Sequence, residues 1–374
     1  MKKTVVVGIS GGVDSSVAAY LLKEQGYSVI GLFMNNWEEE SEGDSACSSA
    51  TDWQDARAVC GRLGIPAYAV NFAAQYRDRV FSYFLEEYKR GRTPNPDVLC
   101  NREIKFGPFA EYAARLGADF IATGHYCDVK RAEGGVQLWE AADKNKDQTY
   151  FLNQVRTRQL GNVLFPLARL SKSEVRAIAA RNGLVTAEKK DSTGICFIGE
   201  RNFKKFLQTY LPAQAGNIVD LHGKIVGRHD GLMYYTLGQR RGLGIGGIAG
   251  EAQNRWYVVK KDLARNELVV SCGEGEELLA NGLTTGKLNF IGAPPADTRF
   301  SARVKTRYRQ SAQPATVTLT DNGAHIAFDT PQRAVTPGQY AVLYTQEGRC
   351  LGGGAIEQTE PVCRQPKQTA LLSG

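Results

Sequence analysis

Apolar residues recur along this chain with two periods, and the alternation between those periods outlines a fold. Thr4 to Ile9 is a β-branched run that reads as a strand. It ends in Ser10-Gly11-Gly12-Val13-Asp14-Ser15-Ser16, after which Val17, Leu21 and their neighbours Ala18 and Leu22 repeat at helical spacing up to Gly26. The pattern predicts a second strand over Ser28 to Met34, a polar acidic loop from Asn35 to Asp52, a helix near Trp53 to Leu63 and a third strand over Ala67 to Asn71. A helix at about Ile104 to Leu116 and a strand from Phe120 to Thr123, running into Gly124-His125, continue the series. Strands that alternate with helices predict an α/β domain, with a parallel sheet covered on both faces, filling the first half of the chain.

Ser171-Lys172-Ser173-Glu174 has capping-box spacing ahead of Val175, Ile178 and Ala179, which predicts a helix over about 172 to 182, followed by a loop from Glu188 to Gly199. From about residue 203 helical patterning gives way to glycine punctuation and short β-type runs, Arg255 to Lys260 and Glu267 to Ser271, as expected of a small mostly β module. Beyond about 275, the runs Ser301 to Arg307, Ala315 to Leu319, His325 to Phe328 and Gln339 to Tyr344 are separated by turns and predict a β-barrel. The expected organisation is a nucleotide-using domain over 1–202, a central domain over 203–274, a barrel over 275–364 and a loose tail over 365–374.

Composition adjusts this picture in three ways. With 43% hydrophobic and 23% charged residues among 374, extended disorder is excluded. The formal charge of +7 suits a polyanionic partner. The apolar run after Met1 is far shorter than a signal-peptide core and no stretch reaches membrane-spanning length, so the expected location is the cytoplasm, with no membrane contact. In that compartment the eight cysteines are not expected to form a disulfide framework, and because none lie in a Cys-x-x-Cys pair, no clustered metal centre is expected either.

The chemistry concentrates in a few strings. A glycine-rich loop between a strand and a helix offers free backbone N–H groups and the positive end of the helix dipole to phosphate. Ser10 to Ser16 fits, but lacks the lysine of a Gly-x-x-x-x-Gly-Lys-[Ser/Thr] loop, so adenylyl transfer with pyrophosphate held in the loop is the natural reading. Met34 and Gly124 end strands, where open parallel sheets bind ligands. A buried structural thiol is the ordinary fate of a lone cysteine, and that reading is kept for all except Cys100 and Cys196, each with cations nearby in sequence: Arg102 and Lys105 for the first, Lys189 and Lys190 for the second. Asp97, three residues before Cys100, can serve as a proton acceptor or base contact, or simply cap a turn after proline. In Arg303-Val304-Lys305-Thr306-Arg307-Tyr308-Arg309-Gln310 four cations alternate with other residues, so an extended strand would present all four on one face as a comb for phosphates, or as a solvated surface. Gly242 to Gly247 has no strand before it or helix after it and reads as a loop that could close over substrate.

Ser10-Gly11-Gly12-Val13-Asp14-Ser15 resembles the pyrophosphate loop of the N-type ATP pyrophosphatases. Together with Asn95-Pro96-Asp97-Val98-Leu99-Cys100-Asn101, Ala122-Thr123-Gly124-His125-Tyr126, Lys146-Asp147-Gln148-Thr149-Tyr150-Phe151-Leu152 and Asp191-Ser192-Thr193-Gly194-Ile195-Cys196-Phe197-Ile198, it resembles the bacterial tRNA 2-thiouridylases from residue 1 to about 360. The resemblance implies ATP-dependent thiolation of the wobble uridine, with ATP and its Mg2+, tRNA, and a persulfide-donating sulfur carrier or cysteine desulfurase as partners. It implies that Gly8, Ile9, Ser10, Gly11, Gly12, Val13, Asp14, Ser15, Met34 and Gly124 contact ATP. Asn95, Pro96, Asp97, His125, Lys146, Asp147, Gln148, Tyr308, Arg309 and Gln339 would contact tRNA. The residue matching Cys196 would carry the persulfide sulfur, with the Cys100 equivalent working against it through a transient disulfide.

Overall fold

The computed structural model describes residues 2–38, 48–132, 135–191, 203–245 and 255–362. Its first sheet is built from β1 (Thr4–Gly8), β2 (Ser28–Asn35), β3 (Ala67–Asn71), β4 (Phe120–Ala122) and, beyond the hairpin of β5 (Cys127–Ala132) and β6 (Gly135–Glu140), β7 (Val163–Leu164). The strand order is β3-β2-β1-β4-β7 with every pairing parallel, so the chain leaves β1 in one direction and returns on its other side at β4. That reversal opens a crevice at the carboxyl ends of β1 and β4. Val5, Val6 and Val7 are all fully buried because helices cover both faces. The helix α1 (Val13–Glu24) lies on one face with α2 (Ser48–Leu63), their apolar stripes meeting Val5 and Val7. On the other face Val6 packs among residues of a helical stretch comprising α3 (Ala73–Tyr76), a π-helical turn, α4 (Ser82–Lys89), α5 (Pro96–Cys100), a second π-helical turn at Asn101–Lys105 and α6 (Pro108–Arg115). After the short α7 (Thr149–Leu152) comes α8 (Lys172–Arg181), whose capping box forms as expected: Ser171 Oγ accepts from Glu174 N and the Glu174 carboxylate accepts from Ser171 N.

The expected loss of helical patterning at about 203 does not occur there, because α9 (Phe203–Tyr210) follows. Phe203, Phe206, Leu207 and Tyr210 stand at helical spacing, and Phe206 and Tyr210 pack edge-on against Trp37 and Phe81 of the first domain. The β module then starts with β8 (Gly216–Val219) and β9 (Ile225–His229), joined by β10 (Trp256–Asp262) and β11 (Glu267–Cys272) in the order β10-β11-β8-β9.

The third unit contains β12 (Leu279–Thr285), β13 (Asn289–Phe290), β14 (Arg299–Lys305), β15 (Gln313–Thr320), β16 (Gly323–Arg333), β17 (Tyr340–Tyr344) and β18 (Arg349–Pro361). Because β12 pairs with both β16 and β18, six strands close into a barrel with no free edge. One feature departs from the expectation that the first half is a single α/β layer: β5 and β6 extend this sheet through β6 pairing with β18. The signal was present in the alternation Cys127-Asp128-Val129-Lys130 and then Val136-Gln137-Leu138 on either side of the glycine pair at 134 and 135.

The cation comb expected over Arg303 to Arg309 does not form. The strand ends at Lys305, and Thr306 N–H and Oγ–H both donate to Gln310 Oε1 across a turn. Lys305 points inward and is ion-paired with Glu140 (3.1 Å) and Asp147 (3.3 Å), whose side chains are 8% and 1% exposed. Arg307 is spent on Leu237 O, Ala334 O and Thr336 Oγ1, tying the central module to the barrel. Only Arg309 of the four is exposed. Lys305→Met should therefore act on stability and not on RNA affinity, because it takes the cation from buried Asp147 and one of three cations from Glu140, which keeps Lys144 and Arg303. The expected loss is about 3–5 kcal/mol, read as a shift in the urea midpoint at unchanged slope.

Candidate active site

The loop after β1 and the loop after β4 meet at the crevice. Gly11 has φ +71°, and a Cβ there would lie 2.2 Å from Asp52 O, so the turn accepts only glycine. Gly12 is different: a Cβ on it would meet nothing nearer than Ser10 Oγ at 3.5 Å, leaving open space over the start of α1. Gly12 is also the N-cap and supplies no side-chain cap, so it leaves the N–H groups of the first turn for an acceptor from outside the helix. Ser15 and Ser16 hydroxyls both donate back to Gly12 O (3.0 and 2.8 Å), which fixes the turn. Opposite, a Cβ on Gly124 would lie 2.7 Å from Ser15 N and 2.8 Å from Asp14 C, so the β4 loop rests directly on the glycine loop and the start of α1. Gly8, Ile9, Ser10, Gly11, Gly12, Val13, Asp14, Ser15 and Gly124 thus form one cradle, with half-buried Met34 at the end of neighbouring β2.

An ionic network that sequence reasoning missed lines the mouth of this cradle. Both Asp14 oxygens accept from Lys172 Nζ (2.7 and 2.8 Å), and Asp14 Oδ1 also accepts from Tyr126 Oη (2.8 Å). Lys172 is shared with Asp191 at 2.8 Å, which also takes Lys146 (2.7 Å) and Arg176 (2.8 Å). Burial would raise the Asp191 carboxyl, but the hydrogen bonds from Lys146 and Lys172 outweigh it and hold it down to about 2. Lys172 was legible only as the first residue of a capped helix. What brings it to Asp14 is the packing of α8 beside α1, for which the sequence has no local sign.

The string around Cys100 forms α5 with Pro96 in its first turn, and its last residue, Cys100, is fully buried. Asp97 is half-buried and Asn95 precedes the helix as its N-cap. Arg102, expected beside the thiol, instead bonds Glu103 (2.6 Å) and Gln154 (3.3 Å), while Lys189 is engaged by Asp52 and Asp55. Cys196 lies outside the described residues, as do Cys47, Cys363, Gly246, Gly247 and the tail. Burial pushes the Cys60 thiol up to about 11 and Cys350 up to about 12, as befits structural thiols.

His125 is buried, with Nδ1 2.7 Å from Thr123 Oγ1 and its ring flanked by Phe106 and Phe165. Burial, with the nearby Lys105 charge, lowers its pKa well below the usual range, so it is neutral at pH 7. Asp147 and Gln148 face inward: Asp147 accepts from Ala141 N and Thr149 Oγ1, and Gln148 Oε1 accepts from Tyr126 N. Of that string Lys146 reaches the cradle, through Asp191. Tyr308 lies against Phe151 with ring centroids 4.4 Å apart, and Gln339 Nε2 donates to Thr93 O (2.7 Å). Among the described residues no three potential metal ligands cluster, and no helix is long and apolar enough to cross a membrane.

Comparison with known proteins matches each unit in turn. A family described as a tRNA methyl transferase HUP domain matches residues 3–200, the associated PRC-barrel domain matches 204–272, and an aminomethyltransferase β-barrel domain matches 280–356. The tRNA-specific 2-thiouridylase MnmA of Serratia proteamaculans is 57% identical over 360 residues, covering 96% of this chain and 98% of its own. The chain belongs to the tRNA-specific 2-thiouridylase family. The Lysinibacillus sphaericus protein of the same description is 56% identical across 95% of this chain and 94% of its own length. A solved 4-thiouridine synthetase–RNA complex with bound ATP is similar at TM-score 0.35 and 14% identity, covering 56% of this chain and 46% of that one.

Proposed function

We propose that this chain is an ATP-dependent tRNA-uridine 2-sulfurtransferase that thiolates the wobble uridine, U34, in the cytoplasm. The observation that carries the reading is the open cradle over Gly12 at the head of α1, bounded by Gly124, in a chain more than half identical from end to end to proteins named 2-thiouridylases. The cradle suits a nucleotide triphosphate, since unsatisfied N–H groups and the helix dipole converge where pyrophosphate would lie.

In the first step uridine O2 attacks the α-phosphate of ATP, forming an O–P bond as the bond to pyrophosphate breaks. Magnesium accompanying ATP would offset phosphate charge, and Asp14 is the carboxylate on the cradle able to face it. The second step needs two thiols: the outer sulfur of a persulfide on Cys196 attacks carbon 2 and AMP leaves with the oxygen, then the Cys100 thiolate attacks Cys196 Sγ, the S–S bond to the sulfur now on carbon 2 breaks, and a Cys100–Cys196 disulfide is left. A thiol reductant resets that bond and a persulfide donor, a sulfur carrier or cysteine desulfurase, recharges Cys196. Asn95, Pro96 and Asp97 would meet the target base, which must be turned out of its stack. His125, Lys146, Asp147, Gln148, Tyr308, Arg309 and Gln339 would serve the tRNA side, with buried His125 and Asp147 acting through neighbours they position.

Nucleoside mass spectrometry tests the reading. After incubation with ATP, magnesium, unmodified tRNA and a persulfide donor, the wobble uridine should gain the mass of sulfur in place of oxygen. A methyl gain, or no ATP-dependent change, would defeat it. For the RNA surface, exposed Arg309→Ala should lower the slope of log affinity against log salt by about one, measured by titration with tRNA at several salt concentrations.

A further inference from the structure

The segment leading into α5 has its polar groups committed to two other parts of the fold. Thr93 N–H donates to Pro337 O (3.0 Å) and Thr93 O accepts from Gln339 Nε2 (2.7 Å), both groups of the barrel unit. The Thr93 hydroxyl lies 3.0 Å from that of Thr236 in the central module. Beside it, Arg92 reaches Glu357 on β18 (2.5 Å) and buried Glu87 (3.5 Å). Three residues after Thr93 begins α5, five residues long, whose N-cap Asn95 supplies no side-chain hydrogen bond. The helix runs on into the π-helical turn at Asn101–Lys105 and buries Val98, Leu99 and Cys100 in the core, and the hydrogen bonds at its two ends add to that packing in fixing its position. The far end is tied within the first domain, by Asn101 Nδ2 to Phe151 O (3.1 Å) and by Gln159 Nε2 to Arg102 O (2.8 Å) and Phe106 O (2.6 Å). The near end is tied to the other two modules.

We infer that Thr93, Gln339 and Thr236 are positioning residues that set α5, with Asp97 and Cys100, in register with the two β modules. RNA seated on those modules then meets the base-contacting residues and the thiol at a fixed offset. Gln339 acts on the reaction through Thr93, since its amide is spent on that carbonyl. The roles of Asp97 and Cys100 rest on the proposed function, whereas the registration of the helix does not.

Alkylation of Cys100 by iodoacetamide, followed by peptide mass spectrometry, reads the helix position independently of catalysis, because the thiol is fully buried when α5 is seated. Thr93→Val removes the hydroxyl at constant shape, and Gln339→Ala removes the amide donor. Each should speed Cys100 alkylation about fivefold, one hydrogen bond's worth, and lower kcat for thiolation without changing the KM for ATP, and Thr93→Val, at a residue with no assigned tRNA contact, should also leave the Kd for tRNA unchanged. Thr93→Ser should restore both. Wild-type alkylation rates in Thr93→Val and Gln339→Ala, or no rescue by serine, would overturn the inference. Cys100→Ser run in parallel separates the two claims: full thiolation by that variant removes the thiol from the mechanism but leaves the alkylation result standing.

Discussion

A chain carrying Cys196→Ser is expected to make no 2-thiouridine while still binding tRNA and releasing pyrophosphate from ATP. The reason is that the proposed reaction divides into an adenylyl step that uses the cradle alone and a sulfur step that uses two thiols. Serine keeps the size of cysteine but cannot hold a persulfide. Cys100→Ser should differ in kind: it should accept sulfur on Cys196 from a persulfide donor and then fail to turn over, since no second thiol takes the inner sulfur. The measurement is paired, with radiolabelled sulfur on protein and on tRNA followed over time in each variant. In the wild type, mild oxidation should link Cys100 to Cys196 once their Cα atoms come within roughly 7 Å. Wild-type thiolation by either variant would remove that cysteine from the mechanism.

Gly12→Val should fold normally and lose about 100-fold in tRNA-dependent pyrophosphate release, the cost typical of an ångström-scale displacement at a reacting centre. The structure gives the argument its sharpness. A Cβ at Gly12 meets only Ser10 Oγ at 3.5 Å, so the protein itself has room for it, and φ of −103° is open to any residue. The added methyls would occupy the space above the first turn of α1, where phosphate oxygens would otherwise reach backbone N–H groups. Gly11→Ala should behave oppositely, losing stability first, because its Cβ would run into Asp52 O and its backbone lies in the left-handed region. A thermal melt and pyrophosphate release on both variants distinguish the two glycines. Normal turnover by Gly12→Val would remove pyrophosphate from this loop.

Much of the fold was legible because local pattern and tertiary outcome agree. The strand from Thr4 and the capped helix at Lys172 lie where the periodicity puts them, since a strand covered on both faces is continuously apolar and a helix on the sheet needs one apolar stripe; the strand from Ala67 also forms where expected, at the half-exposed edge of the sheet. The glycine loop was legible for a similar reason: it lies between a strand and a helix within seven consecutive residues, Ser10 to Ser16, and its Gly11 is required by backbone geometry, which is information a sequence carries locally.

Other features depended on contacts between distant segments. The run from Arg303 to Arg309 has a perfect alternation of charge, yet the strand stops at Lys305 because Gln310 closes a turn, and Lys305 is drawn inward by Glu140, at the end of a hairpin that crossed over from the first half of the chain, and by Asp147 in the segment after it. Lys172 finds Asp14 across the α1–α8 packing, and Thr93 finds Gln339 across a domain boundary. Sequence alone thus determined most of the elements of the first sheet and the position of the glycine loop between β1 and α1, since backbone conformation and side-chain period are set by neighbours within a few residues. Only the tertiary structure decided which charges face solvent and which are spent on each other, because a buried ion pair depends on how closely two remote segments approach and how little water is left between them.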